Sequence, residues 1–151
     1  MSEVLTACLK QLEVLHRDLN HALEGLSAEA LNWSPGPEIN SLAVLAAHTA
    51  GAERYWIGDV IARDDSHRDR DAEFRTRARS VEDIIARLDA ALAYSRGVID
   101  SLTSTDLEER RPAGGQREVT VGWALVHTLE HTGIHLGQMQ LMRQWWGTKS
   151  R

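Results

Sequence analysis

An all-α fold, most simply a four-helix bundle, is what the sequence predicts, and three observations predict it. Ala, Leu, Glu and Arg abound while the chain has one Phe, two Tyr and three Pro, a usage that favours helices over strands. Apolar residues recur at steps of three and four in four long segments, the pattern of amphipathic helices. The 151 residues suffice for one domain with one core, and a composition of 42% apolar and 26% charged residues is that of a globular chain, not a disordered one.

The first helix spans about residues 3 to 25, on the stripe Val4, Cys8, Leu12, Leu15, Leu19, Ala22 and Leu26, with Gly25 as its stop. Ser27 followed by AEAL caps one extra turn before the two prolines of WSPGPE interrupt the chain. A second helix starts at Asn40 or Ser41 and reaches about Ala62, carrying Leu42, Leu45, His48, Ala52, Trp56 and Val60 on or near one stripe, so His48 is turned inward. Residues 63 to 79 are charged with both signs and nearly free of apolar residues, a solvated connection. At roughly 3.3 Å per residue it is long enough to recross a helix, which lets the second and third helices run parallel.

Ser80, with Asp83 three residues on, opens the third stripe of Val81, Ile84, Ile85, Leu88, Ala91, Leu92, Val98, Ile99 and Leu102. The segment TSTDLEERRPAGGQREVT is a long connection with one turn at DLEE, and Thr120 caps the last helix at about Val121.

Charge and cysteine usage narrow the function classes. Acids outnumber Lys and Arg 22 to 17, a net charge of -5, so no footprint for a phosphate backbone is present and nucleic acid is not an expected partner. No stretch approaches 18 consecutive apolar residues, so no membrane partner is expected either. The single cysteine, Cys8, excludes an intramolecular disulfide and is read as core; a reducing, cytoplasmic setting follows.

The last helix carries His127, His131 and His135 at four-residue spacing. Residues i and i+4 lie about 6 Å apart along a helix, close enough for two imidazoles to converge on one ion, whereas the first and third are separated by about 12 Å. The first pair reads HTLEH, the pattern of inverted zinc proteases with Glu130 as base. Those enzymes need a downstream acidic ligand, and no acid follows Glu130. The second pair, His131 and His135, shares a stripe with Ala124, Thr128, Gln138, Met142 and Trp145 and therefore faces the bundle interior, as does His48. Three neutral imidazoles suit zinc or a similar divalent ion and leave coordination positions free for water or substrate. His16, His21 and His67 are expected on the surface. Gly133 and Gly137, costly in a helix interior, imply close packing or room for a ligand. Arg143 is a candidate anchor for a carboxylate of substrate or thiol, or a partner of the helix C-terminal dipole. No general base is assigned, since Glu130 points about 100° away from its neighbour His131.

His48 in SLAVLAAHTAGAERYW and the pair in EHTGIHLGQMQLMR, where a histidine is followed by x-G-Q, resemble the DinB/YfiT-like superfamily of small metal-binding four-helix bundles, over nearly the whole chain. The resemblance implies a metal triad on His48, His131 and His135, an up-down-down-up bundle, a homodimer, and a supporting or structural role for His127. Characterised relatives use a low-molecular-weight thiol such as mycothiol or bacillithiol, so it implies a metal-dependent enzyme, with zinc or nickel, that transfers such a thiol to a small electrophile. The alternatives are a hydrolase using metal-activated water and a non-catalytic, metal-binding dimeric bundle.

Overall fold

The computed structural model describes residues 2–149. Among them are α1 (Glu3–Leu23), the short α2 (Ala28–Asn32), α3 (Leu42–Arg54) continued by a π-helix (Tyr55–Ala62), the short α4 (Arg70–Phe74), α5 (Val81–Ser101), a 3-10 turn (Asp106–Glu108), β1 (Arg110–Pro112), β2 (Glu118–Thr120) and α6 (Val121–Lys149). Side chains of Ser2, Ser27, Ser41 and Ser80 each accept a hydrogen bond from the backbone N–H three residues on, and Thr120 does the same for Trp123, so every long helix begins at a hydroxyl cap. Gly25, at φ 72, follows the end of α1 as the sequence predicts.

Helix directions follow from which ends share a core. Leu19 and Leu23 of α1 pack with Leu42 and Leu45 of α3, Ile84 and Leu88 of α5, and Met139 and Met142 of α6. Leu5 and Leu9 pack instead with Ile57 and Val60, Ile99, and Val121 and Leu125. The start of α1 thus meets the ends of the π-helix and α5 but the start of α6. The bundle runs up-down-down-up, with α3 and α5 parallel. Cross-links agree: Asn20 bonds Asp89 at 2.9 Å while Arg96 bonds Glu13 at 2.7 Å.

Between the two apolar clusters lies a polar level. His16, Glu53, Ser95, Thr128 and Thr132 are all buried there, each placed along its helix between the residues of one cluster and those of the other. His16 is therefore not a surface residue as its type suggested; it occupies a core position of the α1 stripe. Cys8, expected in the core, is only half-buried.

Three further departures have local causes. The second helix is not a uniform α-helix: its last eight residues widen to π geometry where the Arg54 guanidinium packs onto Gly58, and it ends at Arg63 in the left-handed region, φ 59. The second long connection holds a small antiparallel hairpin, Arg111 opposite Val119, turning at Gly114 and Gly115, both at positive φ. The charged segment 63 to 79 is not simply solvated. It contains α4, buries Glu73 and Ala78, and is tied to α2 by two 2.8 Å bonds between the Asn32 amide and the backbone of Ala78.

Candidate metal centre

His48 of α3 and His131 and His135 of α6 meet at the middle level of the bundle. The Nε2 atoms of His48 and His131 are 3.2 Å apart, as are those of His131 and His135, and one ring nitrogen from each of the three lies within 4.8 Å of the others. Two imidazole nitrogens on one zinc, with bonds of about 2.1 Å at the tetrahedral angle, stand about 3.4 Å apart. The observed spacing is that of ligands around a single ion.

Proton positions sharpen the fit. Nδ1 of His48 lies 2.9 Å from Oε2 of Glu73, and Nδ1 of His135 lies 2.7 Å from Oε1 of Gln138. Burial alone would raise the Glu73 carboxyl, but hydrogen bonds from Arg68 and His48 and the Arg68 charge outweigh it and hold the group below its ordinary range, ionised. An ionised carboxylate only accepts, so Nδ1 of His48 carries the proton and its Nε2 presents a lone pair. The Gln138 carbonyl does the same for His135. His131 then faces two lone pairs with one Nε2, and a single proton there satisfies at most one of them. A cation between the rings satisfies all three.

Charge state is favourable as well. Desolvation first, then the neighbouring His135 and His48, push His131 down to about 3, and desolvation also lowers His135 against the raising effect of the Gln138 bond. At His131 and His135 the neutral imidazole, the form that binds metal, therefore prevails at neutral pH. Among the described residues this triad is the one group of three or more His, Cys, Asp or Glu side chains able to hold an ion.

Supporting side chains come from the crossover. Arg68 grips Glu73 with both ends of its guanidinium, Nε to Oε1 at 2.6 Å and Nη2 to Oε2 at 2.9 Å. The carboxylate lies against Gly51 of α3, where an added Cβ would overlap its Oε1, so the glycine in SLAVLAAHTAGAERYW makes room for it. Phe74 packs on the His48 ring at 4.9 Å. Neither Arg68 nor Glu73 was singled out by spacing; both sit in a charged run with no periodicity.

The remaining candidates lie elsewhere. His127 stacks on Trp123 at 4.7 Å and 14° and meets the edge of Trp56, a structural role one turn from the triad. Glu130 is exposed and paired with His127, which removes the base of the protease pattern from the centre. Arg143 is not an anchor at this site: its Nη1 donates to the backbone oxygens of Ala22 and Glu24 at 2.9 Å, capping the C-terminal end of α1 about 12 Å along α6 from His135. Gly133 and Gly137 are not demanded by tight packing, since a Cβ at Gly133 would just touch Leu15 at 4.0 Å and one at Gly137 would meet open space. Gln138 and Trp145, expected inward, are exposed.

A family model described as mycothiol-S-transferase matches residues 7–146. The chain belongs to the mycothiol-S-transferase family. Two solved structures carry the same fold at low sequence identity. A conserved protein from Enterococcus faecalis superposes with a TM-score of 0.78 at 18% identity, over 95% of this chain and 97% of that one. A DinB-like protein from Bacillus cereus gives 0.76 at 18% identity, over 93% and 91%. A comparison with curated proteins finds no match. The family match and the DinB-like neighbour bear out the DinB/YfiT-like resemblance read from His48 and the His131 and His135 pair.

Proposed function

We propose that the protein is a metal-dependent transferase of a low-molecular-weight thiol of the mycothiol or bacillithiol class, joining the thiol sulfur to carbon of a small electrophile whose leaving group departs with the bonding electrons. The observation that carries the reading is the convergence of the Nε2 atoms of His48, His131 and His135, in a member of a family described by that transfer. An all-imidazole donor set suits zinc or nickel. A divalent ion so held supplies the positive charge that lowers a thiol pKa into the range where thiolate persists at neutral pH.

The chain's own contribution is to keep its ligands in the right tautomer and orientation. Glu73 and Gln138 hold the Nδ1 protons of His48 and His135, and Arg68 holds Glu73. Among the described residues, the carboxylates next to the triad residues are engaged elsewhere, Glu73 with Arg68 and His48 and Glu130 with His127. A thiol, once its pKa is lowered, needs no general base, whereas activating water for hydrolysis gains from one. That favours transfer over the hydrolase alternative. A homodimer is part of the same proposal, supported by the exposed Trp123, Ile134, Leu141 and Trp145 along α6. So is a cytoplasmic setting, where thiol cosubstrates and a lone Cys8 stay reduced.

The test is thioether formation by zinc- or nickel-loaded protein from mycothiol or bacillithiol and a bromoalkyl reagent such as monobromobimane, beside His131→Ala. Thioether above the protein-free rate, lost in the variant, supports the proposal. Loss of the electrophile without thiol consumption would move the reading to hydrolysis, and metal-replete protein inert with both thiols would leave the non-catalytic bundle.

A further inference from the structure

The face between α3 and α6 that carries the triad continues past it. Leu45 precedes His48 by three residues on α3, and Gln138, whose carbonyl holds His135, follows His135 by three on α6. The two helices run antiparallel, so both residues stand about 4.5 Å from the triad on the same side, toward the end of α6. Both line one cleft of about 300 Å³, at the small end of ligand-site volumes.

The lining of the cleft decides what fits it. Leu45 and Met142 are buried at its base, while Ile39, Leu141 and Trp145 stand around it, exposed although large and apolar. Three such residues on one cleft beside a metal centre mark a binding surface, not scattered exposure. Among the described residues the one charged side chain in the lining is Glu38, an acid. An anion meets no cation there, and an uncharged apolar body gains by leaving water. On the other side of the triad, rings occupy the corresponding turns of α6: Trp123 and His127 pack with Trp56, ring centroids 4.7 to 5.4 Å apart. The cleft lies on the Gln138 side, one turn from two of the three ligands.

We propose that this cleft is the specificity subsite for the electrophile and that it selects an uncharged, apolar chain. The reacting carbon stands at the metal centre and the chain lies among Leu45, Leu141, Met142 and Trp145. The inference rests on the thiol-transfer reading and names the class of electrophile that reading left open.

The experiment uses zinc-loaded protein, with mycothiol and with bacillithiol, and three electrophiles: 2-bromoacetamide, 2-bromo-N-hexylacetamide and 6-(2-bromoacetamido)hexanoate. In each reaction the sulfur–carbon bond forms as the carbon–bromine bond breaks, bromide leaves with the bonding pair and the thiol proton passes to buffer. The hexyl compound should show a kcat/KM about tenfold or more above both others, as burial of a short alkyl chain implies. Leu141→Lys places a cation on the cleft at an exposed helix position, so the fold is retained; it should lower the preference for hexyl over hexanoate about fivefold or more, chiefly through KM. A second readout needs no turnover: unreactive N-hexylacetamide, titrated into the ¹⁵N-labelled zinc protein, should give saturable NMR shifts at Leu45, Met142 and the Trp145 indole N–H. Thioether formed equally well from all three electrophiles, no saturable shift, or an unaltered preference in Leu141→Lys would each overturn the proposal while leaving thiol transfer standing. Saturable shifts without thioether from any electrophile would uphold the cleft and overturn the thiol-transfer reading.

Discussion

Two histidine clusters sit at the same level of one small bundle, and they are opposites. At the triad, three rings turn Nε2 atoms toward a common point, and Nδ1 of His48 and of His135 are held from behind by Glu73 and Gln138. At the other, His16 turns Nε2 onto the Glu53 carboxylate at 2.5 Å, Ser95 donates to the second oxygen at 2.7 Å, and Nδ1 of His16 is buried with no partner. The first cluster is half-buried and reachable; the second is almost wholly removed from solvent. Beyond burial, the two clusters differ in which atom faces each ring nitrogen. Acceptors behind Nδ1 leave lone pairs in front for a cation, whereas an acceptor in front of Nε2 uses the ring up in a closed pair.

The largest effect expected from this contrast is on stability. Glu53→Ala leaves His16 buried without its counter-group, a change that costs about 3–5 kcal/mol. Replacing His16, Glu53 and Ser95 together by apolar residues of similar size should recover most of that loss. Urea unfolding midpoints measure both, and a Glu53→Ala protein as stable as the parent would break the comparison. Metal content should be unchanged in the folded fraction of either variant.

Next in size is the metal affinity set by the supporting residues. Glu73→Ala and Gly51→Ala, the latter by pushing the carboxylate off α3, should each weaken zinc binding about 10–100-fold while leaving the fold intact. Competition with a chromophoric chelator reads this directly. Gly51→Ala binding zinc like the parent would mean that the Glu73 contact does not orient His48.

A smaller, signed effect concerns pH. His131 titrates in the folded protein at about 3 and His135 is also lowered, so between pH 6.5 and 3 the unfolded chain binds protons that the metal-free folded chain refuses. The unfolded state carries more protons, so this part of stability is present above pH 6.5 and is lost as pH falls through that window. His131→Gln should flatten the dependence of the unfolding midpoint between pH 7 and 5, and an unaltered slope would remove the triad as its source.

The smallest effect is that of Arg143→Ala. Loss of its bonds to the end of α1 should cost about 1 kcal/mol in thermal unfolding and leave metal binding untouched, which separates the capping role from the anchoring role that its position in the sequence also suggested.

The triad was legible because a helix period is local: His131 and His135 are one turn apart, and His48 falls on an apolar stripe. The second cluster left a signal too, in polar residues at stripe positions. His16 lies between Leu12 and Leu19, Glu53 follows Ala46 and Ala50, and Ser95 continues Leu88 and Ala91. A polar residue on an apolar stripe needs a partner inside, and only the fold pairs residues 37 and 42 positions apart. Arg68 and Glu73 left no signal, because a mixed-charge run reads as solvated whether or not one of its acids folds back.

Period, caps and spacing in the chain determined by themselves the four helices, their starts, the long crossover that lets α3 and α5 run parallel, and the three histidines that could hold an ion, since each of these is a property of neighbours within a turn or two. Only the tertiary structure decided the rest: that Glu73 stands behind His48, that His16 is sealed against Glu53, and that Arg143 closes α1 instead of reaching the site. Those outcomes rest on contacts between segments far apart in the chain, and an isolated side chain carries no mark of which distant group will satisfy it.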